Sequence, residues 1–150
     1  MRLDFYALSK SSLEDTLLKI LDKVVLSKKR ALVFTQSEEE AETLCDYLWN
    51  ANQNKWFGHG TIKDGNAFDQ NIFISDQVNN LNDANIIILT NSIYHEELFN
   101  FERCINIFLQ DDVENINTAK KIWSRGSELN FELNYWIQTS TGQWVKKISF

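Results

Sequence analysis

Proline is absent from this 150-residue chain, cysteine occurs twice and glycine five times. The missing proline carries no functional reading. Cys45 and Cys104 stand apart in apolar stretches without a CxxC pair, which excludes a disulfide framework and a zinc knuckle and leaves reduced, buried thiols. Nor do the glycines fall in a phosphate-binding order. There is no GxxxxGK[ST] run, Ser9 to Ser12 contains no glycine, and Gly58, Gly60 and Gly65 have the wrong spacing and no buried strand before them. No apolar run approaches the roughly 18–20 residues that cross a bilayer, and the opening MRLDFYALSK lacks the long apolar stretch of a secretory signal. The expected location is the cytoplasm, with no membrane partner. Positive charge is also short: 15 Lys/Arg stand against 21 Asp/Glu, a net −6 with a pI near 4.9. That balance disfavours direct nucleic-acid binding, because affinity for phosphate backbones comes mainly from cations that displace counterions.

With 43% hydrophobic and 24% charged residues, the chain has the composition of one packed domain over residues 1–150. Its charge is uneven. Residues 119–150 hold Lys120, Lys121, Arg125, Lys146 and Lys147 against Glu128 and Glu132 alone. A locally basic end on an acidic chain suits an acidic protein partner, and it equally suits a solvated helix end.

The apolar periodicity sets the order of elements. LDFYAL (3–8) reads as a strand, and Leu13, Leu17, Leu18, Ile20, Leu21, Val24 and Val25 are the apolar positions of an amphipathic helix to about Leu26, capped by Ser11 or Ser12. ALVFT (31–35) is a buried strand. Ser37 and Glu40 then have capping-box spacing ahead of a helix striped by Ala41, Leu44, Cys45 and Leu48. Residues 50–70 lose the pattern and read as a long irregular connection. NIFIS (71–75), NIIIL (85–89) and CINIF (104–108) are strand candidates, with a short helix near His95 to Phe99. Asp111 or Asp112 caps a further helix to about Ser124, for which Gly126 is the expected stop. FELNYWIQ and GQWVKKIS, joined by Ser140-Thr141-Gly142, read as a hairpin near a sheet edge. The expected class is α/β: a mostly parallel sheet flanked by helices, Rossmann-like but without a phosphate-binding loop, and with a C-terminal β-hairpin extension.

Catalytic chemistry finds little to work with. The helix after the second strand opens Glu38-Glu39-Glu40, carboxylates where a phosphate needs donors. Cys45 and Cys104 fall on apolar faces with nothing to activate them, and His95-Glu96-Glu97 lacks the second histidine of a zinc motif. No metal or cofactor is expected. The remaining concentrations are aromatic. Trp49, Trp56, Phe57 and His59 gather in or beside the irregular connection, and Trp123 lies one helical turn from Lys120 and near Arg125. Aromatic residues beside cations suit the anchors of a protein interface. Stacking on single-stranded bases competes with that reading but lacks a basic groove.

FYAL-S and the helix after it, KRALVFT followed by EEEAETLCDYLW, FGHG, FERCINIF, and the helix ending AKKIWSRGSEL together resemble the chi subunit of bacterial DNA polymerase III. The likeness spans nearly the whole chain. Leu48-Trp49, Phe57-x-His59-Gly60 and the helix Ala119 to Leu129 are its most specific pieces, and NYWIQTSTGQWVKK is similar to the longer tail of some members. Gly58 stands where the family has proline, and Ser124 where it often has lysine. The resemblance implies an accessory, non-catalytic subunit that connects the clamp loader to the acidic, hydrophobic-ended C-terminal tail of single-stranded-DNA-binding protein. Lys120 and Trp123 match the family's basic and aromatic tail-binding positions and Leu109 an apolar one beside them. Arg125 or Lys121 then takes the place of the lysine that Ser124 replaces. Trp49, Trp56, Phe57 and His59 match the surface for a second partner, the psi subunit or a helicase. A small α/β nucleotide-binding protein or enzyme is the alternative.

Overall fold

Ala31–Phe34, Ile72–Ser75 and Ile86–Thr90 are buried along their whole length, the pattern of strands covered on both faces. They are adjacent inner strands of one sheet in a computed structural model that describes residues 1–51, 59–61, 63, 65 and 70–150. In chain order the elements are β1 (Arg2–Leu8), α1 (Leu13–Leu26), β2 (Ala31–Phe34), α2 (Glu38–Ala51), β3 (His59–Gly60), β4 (Ile72–Ser75) and β5 (Ile86–Thr90). A short 3-10 helix (Glu96–Asn100), β6 (Arg103–Leu109), α3 (Val113–Glu128), β7 (Glu132–Gln138) and β8 (Trp144–Lys147) follow. Among the described residues the sheet has eight strands in the order β3-β4-β2-β5-β6-β1-β7-β8. Every neighbouring pair is parallel except β7 and β8, the antiparallel hairpin. The class read from the sequence is therefore the class of the molecule.

Alternation along the strands builds two cores. Val33, Ile72, Ile74, Ile86 and Ile88 meet Leu17, Leu21 and Val24 of α1 and Ala41, Leu44 and Leu48 of α2. Phe5, Leu32, Phe73, Ile87 and Phe108 face the other way, toward Ala119 and Ile122 of α3. Each fully buried side chain of this size contributes roughly 1.5–3 kcal/mol. The helix starts follow the expected caps. Ser12 accepts from the Asp15 N–H at 3.1 Å, Ser37 from the Glu40 N–H at 3.1 Å and Asp112 from the Asn115 N–H at 3.1 Å. The Glu40 carboxylate reaches back to the Gln36 N–H at 3.2 Å, one residue before the donor that a capping box uses.

Gly126 does not stop α3, which continues to Glu128. A Cβ at Gly126 would lie 2.3 Å from Leu3 Cδ1 and 3.0 Å from Leu133 Cδ2, so the glycine lets the helix backbone approach β1 and β7. The stop is Asn130, left-handed at φ 58°. Its N–H donates to the Ser127 carbonyl at 3.1 Å, and that of Phe131 to the Gly126 carbonyl at 3.0 Å, the paired bonds of a Schellman end. On the opposite sheet face Asp4 is fully buried. Arg103 Nε donates to it at 2.6 Å, Arg2 Nε at 3.0 Å and Asn134 Nδ2 at 2.9 Å, tying β6, β1 and β7 together.

Candidate functional site

The cations of α3 divide between two flanks. At about 100° per residue, buried Asn115, Ala119, Ile122 and Gly126 define the inner face; Lys120, Trp123 and Ser124 fall to one side of it, Lys121 and Arg125 to the other. The second flank is neutralised from within. Arg125 donates to Glu96 through Nε at 3.0 Å and Nη2 at 2.8 Å, and to Glu128 through Nη1 at 3.2 Å. Lys121 Nζ sits 4.3 Å from the centre of the Tyr94 ring, whose hydroxyl donates to Glu96 at 2.7 Å. The bonds from Tyr94 and Arg125 hold the Glu96 carboxyl below its usual range. Lys120, by contrast, is exposed and forms no ion pair among the described residues.

Beside Lys120 the half-buried Trp123 rests on an aromatic floor. Its ring meets Phe5 at 5.4 Å and Tyr135 at 6.2 Å between centroids, both edge-on. Burial pushes the Tyr135 phenol up. Tyr135 pairs with Lys147 across the hairpin, and directly paired residues share a sheet face, so Lys147 stands at the sheet edge on the α3 side. It too is exposed and without an ion pair among the described residues. Two cations without an ion pair among the described residues thus stand by an aromatic cluster, in which the Phe150 ring is stacked on Tyr135 at 3.9 Å.

The usual ligand position of a parallel α/β sheet, the turn after the first strand, is filled. The N–H groups of Ser9, Lys10 and Ser11 all donate to Gln138 Oε1, at 3.2, 2.9 and 2.9 Å. A side-chain oxygen from β7 occupies the anion position of such a nest. Gln138 Nε2 donates in turn to Ser11 Oγ at 2.8 Å, so the amide is used at both ends. After β2, Glu40 occupies the corresponding turn, accepting from Gln36 and from Thr90 Oγ1 at 3.1 Å. Cys45 and Cys104 are buried, and burial raises the Cys104 thiol well above its ordinary value. His95 caps the 3-10 helix, its Nδ1 accepting from the Glu97 N–H at 3.1 Å.

Residues 1–134 match the family described as DNA polymerase III chi subunit, HolC. The chain belongs to that family. A protein of Rickettsia prowazekii (strain Madrid E) named probable DNA polymerase III subunit chi is 25% identical over 73 residues, which is 49% of this chain and 44% of that protein. The chain thus matches less than half the length of this curated relative.

Of the residues that likeness to chi singled out, Lys120 and Trp123 come together. Lys121 and Arg125 lie on the far flank, committed to Tyr94 and to Glu96 and Glu128. Leu109 is not brought to the cluster. It pairs with Leu8, and alternation in β6 turns it to the side of Ile107, away from Phe108 and α3. There it lines a cavity of about 360 Å³ with Leu8, Ser9, Gln110 and Asp111. Trp49 is 51% exposed on α2, and His59 opens β3, the edge strand beside β4. Trp56 and Phe57 lie outside the described residues. Tyr135, Lys147 and Phe150 escaped the sequence reading. The alternation of FELNYWIQ against GQWVKKIS announced a hairpin, but only its register sets Lys147 opposite Tyr135.

Proposed function

We propose that this chi-family chain is a non-catalytic accessory subunit of the replication machinery whose α3 edge holds the acidic, hydrophobic-ended tail of single-stranded-DNA-binding protein. The observation that carries the reading is an exposed Lys120, without an ion pair among the described residues, one turn from a half-buried Trp123 on an aromatic floor. A terminal carboxylate gains a charge-assisted donor there, and an apolar side chain gains a desolvated wall. Lys147, rather than Lys121 or Arg125, is the second cation, because both of those are already engaged. The surface for the second partner, psi or a helicase, is assigned to Trp49, Trp56, Phe57 and His59. Trp49 and His59 belong to α2 and β3, at the opposite edge of the sheet from β8. Strands about 4.8 Å apart put those edges roughly 30 Å from each other, so both partners have room to bind at once and a linking role follows. The nucleotide-binding alternative loses support at the Ser9–Ser11 turn, whose donors Gln138 already takes.

Titration of a fluorescein-labelled acidic peptide ending in phenylalanine tests the reading. A lost charge-assisted hydrogen bond costs about 1.5–3 kcal/mol, so Lys120→Ala weakens binding by roughly ten- to a hundredfold, and amidating the peptide's C-terminus abolishes most of it. Added salt weakens the wild type more than Lys120→Ala, since partly exposed charges are screened within about 8–10 Å. An unchanged dissociation constant in both Lys120→Ala and the amidated peptide overturns the assignment.

A further inference from the structure

One ring of the aromatic cluster comes from the far end of the described chain, and it covers the surface that an apolar ligand would need. Besides stacking on Tyr135, the Phe150 ring meets Trp123 edge-on at 5.6 Å and Phe5 edge-on at 5.5 Å, and lies at 6.2 Å from Phe108. The segment that delivers it is otherwise unsupported: Ser149 is exposed and Ile148 is 97% exposed. Phe150 also lies beyond residues 1–134, the span shared with the chi family. The segment satisfies only half of the site. Residues 144–149 contain no aspartate or glutamate and include Lys146 and Lys147, so they bring no side-chain carboxylate to Lys120.

We infer that Phe150 is a resident plug, an in-cis aromatic side chain that the hydrophobic end of an incoming acidic peptide displaces. The inference rests on the tail-binding reading and adds a regulator to that site. A tethered ring competes at an effective concentration in the millimolar range. The apparent affinity for an external peptide falls by the fraction of time the site stands open, so a plug seated about nine-tenths of the time weakens binding about tenfold. The acidic side chains of the peptide tip the exchange, because they engage Lys120 and Lys147 while residues 144–149 offer those lysines no acidic side chain. Binding then releases Phe150 and leaves Ile148–Phe150 free of the body.

The test is the same peptide titration on the full chain with Phe150→Ala. The expected result is binding three- to tenfold tighter than wild type, and a wild type that binds undetectably beside a binding Phe150→Ala chain also supports the plug. Equal or weaker binding by a folded Phe150→Ala chain overturns it and makes Phe150 part of the wall. If Phe150→Ala does not fold, 4-fluorophenylalanine at position 150 of the otherwise unaltered protein decides. Its fluorine resonance moves to the solvent-exposed position on saturation with peptide, and a resonance that stays put overturns the plug. Binding by neither wild type nor Phe150→Ala removes the tail-binding reading, and the plug with it. Equal binding by both removes the plug alone.

Discussion

Both flanks of α3 carry positive charge, yet they differ in what that charge is free to do. On one flank Arg125 and Lys121 are bound to Glu96, Glu128 and Tyr94, so the basic helix end is largely an internal clasp on the segment before β6. On the other, Lys120 has no acidic partner among the described residues and stands beside a ring system built by two strands and the helix. A count of cations along the sequence treats the two flanks alike. Availability separates them: a charge already paired offers a ligand little, because the ligand must first replace the partner.

Charge reversal breaks the comparison most sharply. Lys120→Glu should weaken the acidic peptide by about a hundredfold or more, since a like charge is added to a lost hydrogen bond. Arg125→Glu should change affinity by less than about threefold, because that side chain is already engaged; equal losses in the two variants would erase the distinction between the flanks. Next in size, Gly126→Ala forces a methyl group against Leu3 and Leu133 and should destabilise the fold by about 1–3 kcal/mol, read from urea midpoints. Peptide affinity should fall with it, because the floor shifts with the helix. A smaller effect is expected from Glu96→Gln, which removes one negative charge beside Arg125 and leaves that side chain its bond to Glu128. At low salt the peptide should bind about two- to threefold tighter, a gain that vanishes at high salt. The smallest is a pH effect. The folded Tyr135 phenol titrates above the ordinary value of 10.0, so the unfolded chain loses that proton first. The stabilisation is fully present below that pH and is lost as pH rises from it through the folded value. Melting temperatures of the wild type should fall in that range, and those of Tyr135→Phe should fall less.

Where a residue's surroundings are set by its own segment, the sequence reading held. Ala31–Phe34 and Ile86–Leu89 are apolar without a break and buried on both faces, and Ser12, Ser37 and Asp112 cap helices through N–H groups three residues away. It failed where distant segments decide. Gly126 resembles a stop until Leu3, more than a hundred residues earlier, is seen beneath it. Leu109 follows Phe108 in sequence but points to the other face of the sheet. Lys121 and Arg125 look as free as Lys120 until Tyr94 and Glu96 are placed beside them. Lys147 enters the candidate site only through a hairpin register, which a one-residue slip would have turned to the opposite face.

The amide of Gln138 also dictates an order of assembly. Its partners at Ser9, Lys10 and Ser11 precede it by 129, 128 and 127 residues, so the first turn of the chain obtains its acceptor only once the hairpin docks beside β1. Closing loops this long costs entropy before the contacts return it, and such pairings slow folding. Until β7 arrives, three N–H groups at the start of α1 face water. Amide exchange at residues 9–11 is therefore a clock for the last strand: protection there should appear together with that of β7 and after that of β2 and β5. In Gln138→Ala it should be lost at the turn while the middle of the sheet keeps its own.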